Sequence, residues 1–148
     1  MSKTRTRSAA RLAAVQAHYQ RDMEATPLPR LLHEFHEHRL GATIDDHDYV
    51  EAERDFFDDL VRGTEARLGA IDAAITGRLA VGWSLERLDK PMRALLRVAT
   101  YELLARTDVP VKSVINEYVD VADAFYAKRE KGFVNGLLDA VAKDVRPS

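Results

Sequence analysis

Cysteine is absent from these 148 residues, which removes disulfides, thiolate nucleophiles and zinc–thiolate sites together. No apolar run approaches the roughly 20 residues needed to cross a bilayer. The glycines at 41, 63, 69, 77, 82, 132 and 136 never form G-x-G, and none follows a strand pattern. That excludes the phosphate-cradling loops of nucleotide and methyl-donor enzymes. Acidic residues are missing from Met1 to Arg21, where the charges are Lys3, Arg5, Arg7, Arg11 and Arg21. This arginine-rich start has the composition of an organelle transit peptide but lacks the apolar core of a secretory signal. A soluble, cytoplasmic protein without a membrane partner is expected.

What is present fits one domain, 1–148, long enough to bury a core without a metal or cofactor. The net charge of −2 conceals two blocks. The basic arm is followed by an acidic stretch, Asp45, Asp46, Asp48, Glu51, Glu53, Asp55, Asp58 and Asp59, opposed by Arg54 alone. A basic arm on a mildly acidic body suits a local polyanion contact; the plainer alternative is a solubilising tail.

Periodicity is helical throughout. Leu12, Val15 and Tyr19 mark a first helix that fades at Pro27 and Pro29, and Leu31, Leu32 and Phe35 mark a second ending near Gly41. Tyr49, Phe56, Phe57, Leu60 and Val61 define a third stopped near Gly63, whose many acids suit a solvated face. Leu68, Ile71, Ile75 and Leu79 define a fourth. Asp89 is the expected N-cap, with Pro91 in the first turn, of a helix carrying Met92, Leu95, Leu96, Ala99 and Leu103. Pro110 precedes a stripe from Val111 to Phe125, and the last helix holds Phe133, Val134, Leu137, Leu138 and Val141. About seven short helices, and no alternating segment, predict an all-α bundle.

Few constellations carry chemistry. His33, Glu34, His36, Glu37 and His38 invite a metal reading, but a zincin helix needs histidine where Glu37 stands. No nucleophile elbow surrounds a serine, so an enzyme is not expected. KREKGF, from Lys128 to Phe133, is different. Three cations, Lys128, Arg129 and Lys131, stand beside Gly132 and the aromatic Phe133. Phosphate neutralisation next to a stacking surface is a common way to hold RNA, although Phe133 alone also suits the start of a core stripe. Arg97 suits either a phosphate or an ion pair with Asp89 or Glu102, and Trp83 suits a plug in the turn before the fifth helix.

Four strings together carry a resemblance: AAVQAHYQ at Ala13–Gln20, LLRVATYEL at Leu95–Leu103, DVPVKSVINE at Asp108–Glu117 and FVNGLLD at Phe133–Asp139. In this order and spacing the chain resembles the NusB family of bacterial transcription antitermination factors. The resemblance implies two small helical bundles packed together and RNA binding without catalysis. It implies a heterodimer with NusE, a small-subunit ribosomal protein, on the boxA element of ribosomal RNA leaders, within a complex of Nus factors and RNA polymerase. Arg5, Arg7 and Arg11 then match the RNA-facing arm, and Phe133 with a loop at Lys128–Gly132 matches a second RNA contact. Tyr19 and Met92 match the NusE side. Departures occur at Arg129, which is acidic in the enteric form, at Gly132, which replaces a lysine, and at Met92, often charged in the family. Asn116, Glu117, Asn135 and Gly136 read as structural, with Gly136 expected at a close helix approach. Two other readings remain open: an RNA-binding unit acting with an rRNA cytosine methyltransferase, since such domains occur fused to these enzymes, and a protein–protein adaptor without RNA specificity.

Overall fold

Small residues, rather than large ones, decide how the first helix packs. α1 (Lys3–Glu24) buries Ala10, Ala13, Ala14 and Ala17, an i, i+3, i+4, i+7 set, together with Val15. Leu12 and Tyr19, expected on the core face, are only half-buried. Alanines carry no bulk, so α1 lies close against its neighbours, chiefly α3 (His47–Ala66) and α5 (Lys90–Ala105). The structure is a computed structural model that describes residues 3–38 and 47–146, with side chains from 6 to 37 and from 53 to 146. The expected end of the second helix at Gly41, and Asp45 and Asp46, lie outside the described residues. So do the side chains of Arg5, His38, Asp48, Tyr49 and Glu51.

Among the described residues there are seven α-helices, one 3₁₀ turn at Leu85–Arg87 and no strand, so the chain is all-α as expected. α1, α2 (Leu28–His38) and α3 form one bundle; α4 (Leu68–Thr76), α5, α6 (Val111–Asp123) and α7 (Lys128–Val145) form the other. α5 runs between them and touches α1, α3, α4, α6 and α7. Phe35 of α2 stacks on Phe57 of α3 at 5.4 Å between ring centroids. The expected cap of α5 is present: Asp89 accepts from the Met92 N–H at 2.9 Å, with Pro91 in the first turn. Arg146, just past α7, donates to the carbonyls of Glu102, Leu103, Arg106 and Val109, closing the C-terminal end of α5.

Several boundaries differ from the sequence reading. Gly63 does not stop α3, which continues to Ala66. A Cβ built on Gly63 would lie 2.0 Å from Cζ of Tyr101, so the glycine is there to admit the tyrosine ring of α5. The close approach expected at Gly136 is absent, since a Cβ there meets nothing within 4 Å. Gly63→Ala is therefore expected to cost about 1–3 kcal/mol of stability by overpacking, while Gly136→Ala costs nothing. Thermal unfolding of both variants checks this. α4 ends at Thr76, so Leu79 belongs to the following turn. Trp83 plugs nothing: it is 54% exposed, with the Arg87 guanidinium 5.7 Å from its ring centroid.

Candidate nucleic-acid interface

The segment expected as a loop at Lys128–Gly132 is helical. α7 begins at Lys128, and the connection from α6 is only residues 124–127. The physical reason is that Val134, Leu137, Leu138 and Val141 anchor the helix in the core, and nothing before them breaks it. Glu130 in the first turn suits the helix dipole, and one glycine inside a helix costs only about 1 kcal/mol. Lys128 and Arg129 are exposed on that first turn. Lys131 is half-buried, with Nζ 2.7 Å from Asp123 Oδ1 at the end of α6. Phe133 is 39% exposed, so its ring is not swallowed by the core, and Gly132 faces open space. Phe125, which the apolar stripe placed inside α6, lies just past its end and is also exposed.

At the other end of the chain Arg7 and Arg11 are one helical turn apart on α1, yet their surroundings differ. Arg7 is partly exposed, with its guanidinium 4.7 Å from the centroid of the Phe56 ring and 3.9 Å from Asp108. Arg106 sits over the same ring at 4.9 Å and holds Asp108 at 3.1 Å, which keeps that carboxylate below its usual range. Beside Arg7 a groove is lined by Val109, Pro110, Ser113, Asn116 and Glu117. The VPVKSVINE string thus builds the wall of a cleft as well as a helix. α6 begins there with Pro110 as its N-cap residue, so no cap side chain accepts from the first amides, which at any helix start have no intrahelical acceptor. Neither Ser113 nor Asn116 was singled out as a binding residue from the sequence. Arg5 is on the first turn of α1, its side chain outside the described set.

Arg11 departs from the RNA-facing expectation. It is 3% exposed, and its guanidinium pairs in bidentate fashion with Glu102, at 2.8 and 2.6 Å. Glu102 is fully buried in α5 and accepts a third bond, 2.8 Å, from the Tyr118 hydroxyl of α6. Arg11 also approaches Glu117 at 3.6 Å, and Ser8 donates to Glu117 at 2.8 Å. Burial works against the Arg11 charge, but the bonds and attraction to Glu102 win and hold its pKa above the usual value. Burial, then the Glu102 charge, pushes the Tyr118 hydroxyl well up. Arg11 therefore ties α1 to α5 and α6, and its guanidinium is taken up by that buried network at the floor of the groove beside Arg7.

Arg97 is likewise engaged, not with Asp89 or Glu102 but with Asp72 of α4, at 2.8 and 2.9 Å. It lines a small cleft with His18, Arg21, Asp22 and Glu65 at the far end of α1. On the expected partner side, Tyr19 is half-buried against the core and Met92 is 4% exposed. The Met92 side chain is core in the first turn of α5, so that turn, not the thioether, is what a partner would meet. The acids of α3 are not simply solvated. Glu53 is buried, Asp58 contacts His36 Nε2 at 2.6 Å, and Asp59 accepts from Tyr101 at 2.7 Å and Arg106 at 3.1 Å. Burial, with the bond to Asp59, pushes the Tyr101 hydroxyl up to about 12.

The geometry can be compared with known proteins. The model of the NusB family matches residues 8–143. A transcription antitermination protein NusB of Sphingopyxis alaskensis is 63% identical over 144 residues, covering 97% of each chain. Among solved structures, a NusB of T. maritima superposes with a TM-score of 0.79 at 33% identity, over 99% of this chain and 94% of its own. Another, solved as antitermination factors NusB and NusE in complex with double-stranded RNA, gives a TM-score of 0.78 at 26% identity, over 95% and 98%. With the two-bundle all-α fold and the match across nearly the whole length, the conclusion is direct: the chain belongs to the NusB family.

Proposed function

We propose that this chain is an antitermination factor that binds boxA-type ribosomal RNA leaders together with NusE and promotes processive rRNA transcription. The whole chain, 1–148, acts as one RNA-binding domain in the cytoplasm, inside a complex of Nus factors and RNA polymerase. No catalytic step is part of this reading. The observation that carries it is the first two turns of α7, where exposed Lys128 and Arg129 stand beside the exposed ring of Phe133. Among the described residues neither cation is engaged in an ion pair, unlike Arg11 and Arg97. Cations for phosphates next to an aromatic face for a base is the combination RNA binding needs.

In this reading Arg5 and Arg7 on α1, with Lys128, Arg129 and Lys131 on α7, neutralise phosphates, and Phe133 stacks. Arg11 and Arg97 serve by holding α1 and α5 in place. Tyr19 and the turn around Met92 face NusE. The test is the salt dependence of boxA affinity. Each phosphate contact removed should flatten the log–log slope by about 0.7 for single-stranded RNA. Arg7→Ala, Lys128→Ala and Arg129→Ala should each do so, while Arg97→Ala leaves the slope as it is. Equal slopes in all four variants would contradict the assignment.

A further inference from the structure

The turn that starts α5 and the connection that precedes α7 share a single oxygen atom. Asp89 Oδ1 accepts the Met92 N–H at 2.9 Å as the cap of α5, and it also accepts the hydroxyl of Tyr126. Tyr126 stands two residues before α7 begins. The next residue along α5 from Met92, Arg93, reaches the other way and donates to Asp22 Oδ2 at 2.7 Å, three residues past Tyr19 on α1. Polar contacts thus run from the end of α1, through the first turn of α5, to the residues that aim α7. Lys131 fixes the far side of the same connection by its bond to Asp123.

We propose that the Asp89–Tyr126 hydrogen bond is the positioning contact through which a protein docked on the α1–α5 side strengthens RNA binding at the start of α7. This rests on the functional reading above. Asp89 is exposed, so in the free chain water competes for its carboxylate and the bond to Tyr126 is weak. A partner lying over the first turn of α5 removes that water. In the lower local dielectric the charge-assisted bond strengthens, and the connection at 124–127 loses freedom. Lys128, Arg129 and Phe133 are then held in one orientation before RNA arrives, so the RNA pays less to order them. The partner acts because it favours the bonded arrangement over the open one, which is the differential interaction coupling requires. In this scheme Tyr126 touches neither ligand, and Asp89 is covered by the partner without bonding to it.

The test uses Tyr126→Phe, which removes the hydroxyl and keeps the ring, and Asp89→Asn, which keeps an acceptor for the Met92 N–H but removes the charge. Titrations of boxA RNA alone, of purified NusE alone, and of boxA RNA with NusE saturating give the gain in RNA affinity that NusE confers. Tyr126→Phe should reduce that gain roughly fivefold, at the low end for coupled sites, while leaving each separate affinity within about twofold. Because one bond is at issue, the double variant should lose no more than Tyr126→Phe alone. A role confined to stability would leave the gain untouched. An unchanged gain in Tyr126→Phe overturns the inference and leaves the functional reading standing. A wild-type chain that gains nothing from NusE overturns both.

Discussion

Glu102→Ala is expected to lower the unfolding free energy by about 3–5 kcal/mol, because it strands a buried guanidinium. The carboxylate is fully buried and accepts three bonds: two from Arg11 and one from Tyr118. Removing it leaves the Arg11 charge in a site it cannot escape, and leaves the Tyr118 hydroxyl without its acceptor. An ordinary domain is stable by about 5–15 kcal/mol, so the loss is a large share of the total. Glu102→Gln, which keeps the volume and one acceptor, should cost less than Glu102→Ala. Urea unfolding followed by circular dichroism measures both. A loss below about 1 kcal/mol in Glu102→Ala would mean that Arg11 finds solvent, and the anchor described here would not exist.

Phe133→Ala is expected to do the opposite, sparing the fold and weakening RNA binding. The ring is 39% exposed, while Val134, next in sequence, is fully buried and carries the packing of that turn. Losing a stacked base costs about 1–3 kcal/mol of affinity, roughly 5- to 150-fold. Phe133→Trp, which preserves an aromatic face, should retain most of the binding. Fluorescence anisotropy with labelled boxA RNA reads the affinity, and the unfolding midpoint confirms that the fold is intact. If Phe133→Ala binds like the unsubstituted chain, the ring is packing on the surface and the RNA contact lies elsewhere.

These two residues also show what was legible in the sequence. The α5 cap was legible because Asp89 followed by Pro91 is a local signal, complete within four residues. Arg11 was not, because an arginine in a basic arm reads as surface until its partner, far away in sequence, is known. The usable signal was on the other side. Glu102 stands on the same helical stripe as Leu95, Val98 and Ala99, where a lone acid demands a buried cation. The core face of α1 is only partly legible, through Val15, because alanines do not stand out beside Leu12 and Tyr19. The helical start at Lys128 is hidden because a charged, glycine-containing string looks like a loop, whereas the apolar residues after Phe133 carry the helix back through it. Gly63 and Gly136 look alike in sequence; only the Tyr101 ring distinguishes them.

We propose two RNA-contacting elements, the exposed start of α7 and the basic start of α1, that work with NusE. The same anisotropy titration, run on the unsubstituted chain with boxA RNA and a scrambled RNA of equal length, with and without NusE, tests this most directly. Preferential binding of boxA, tightened by NusE and weakened by salt, is the predicted result. Equal affinity for both RNAs, unmoved by NusE, would contradict it.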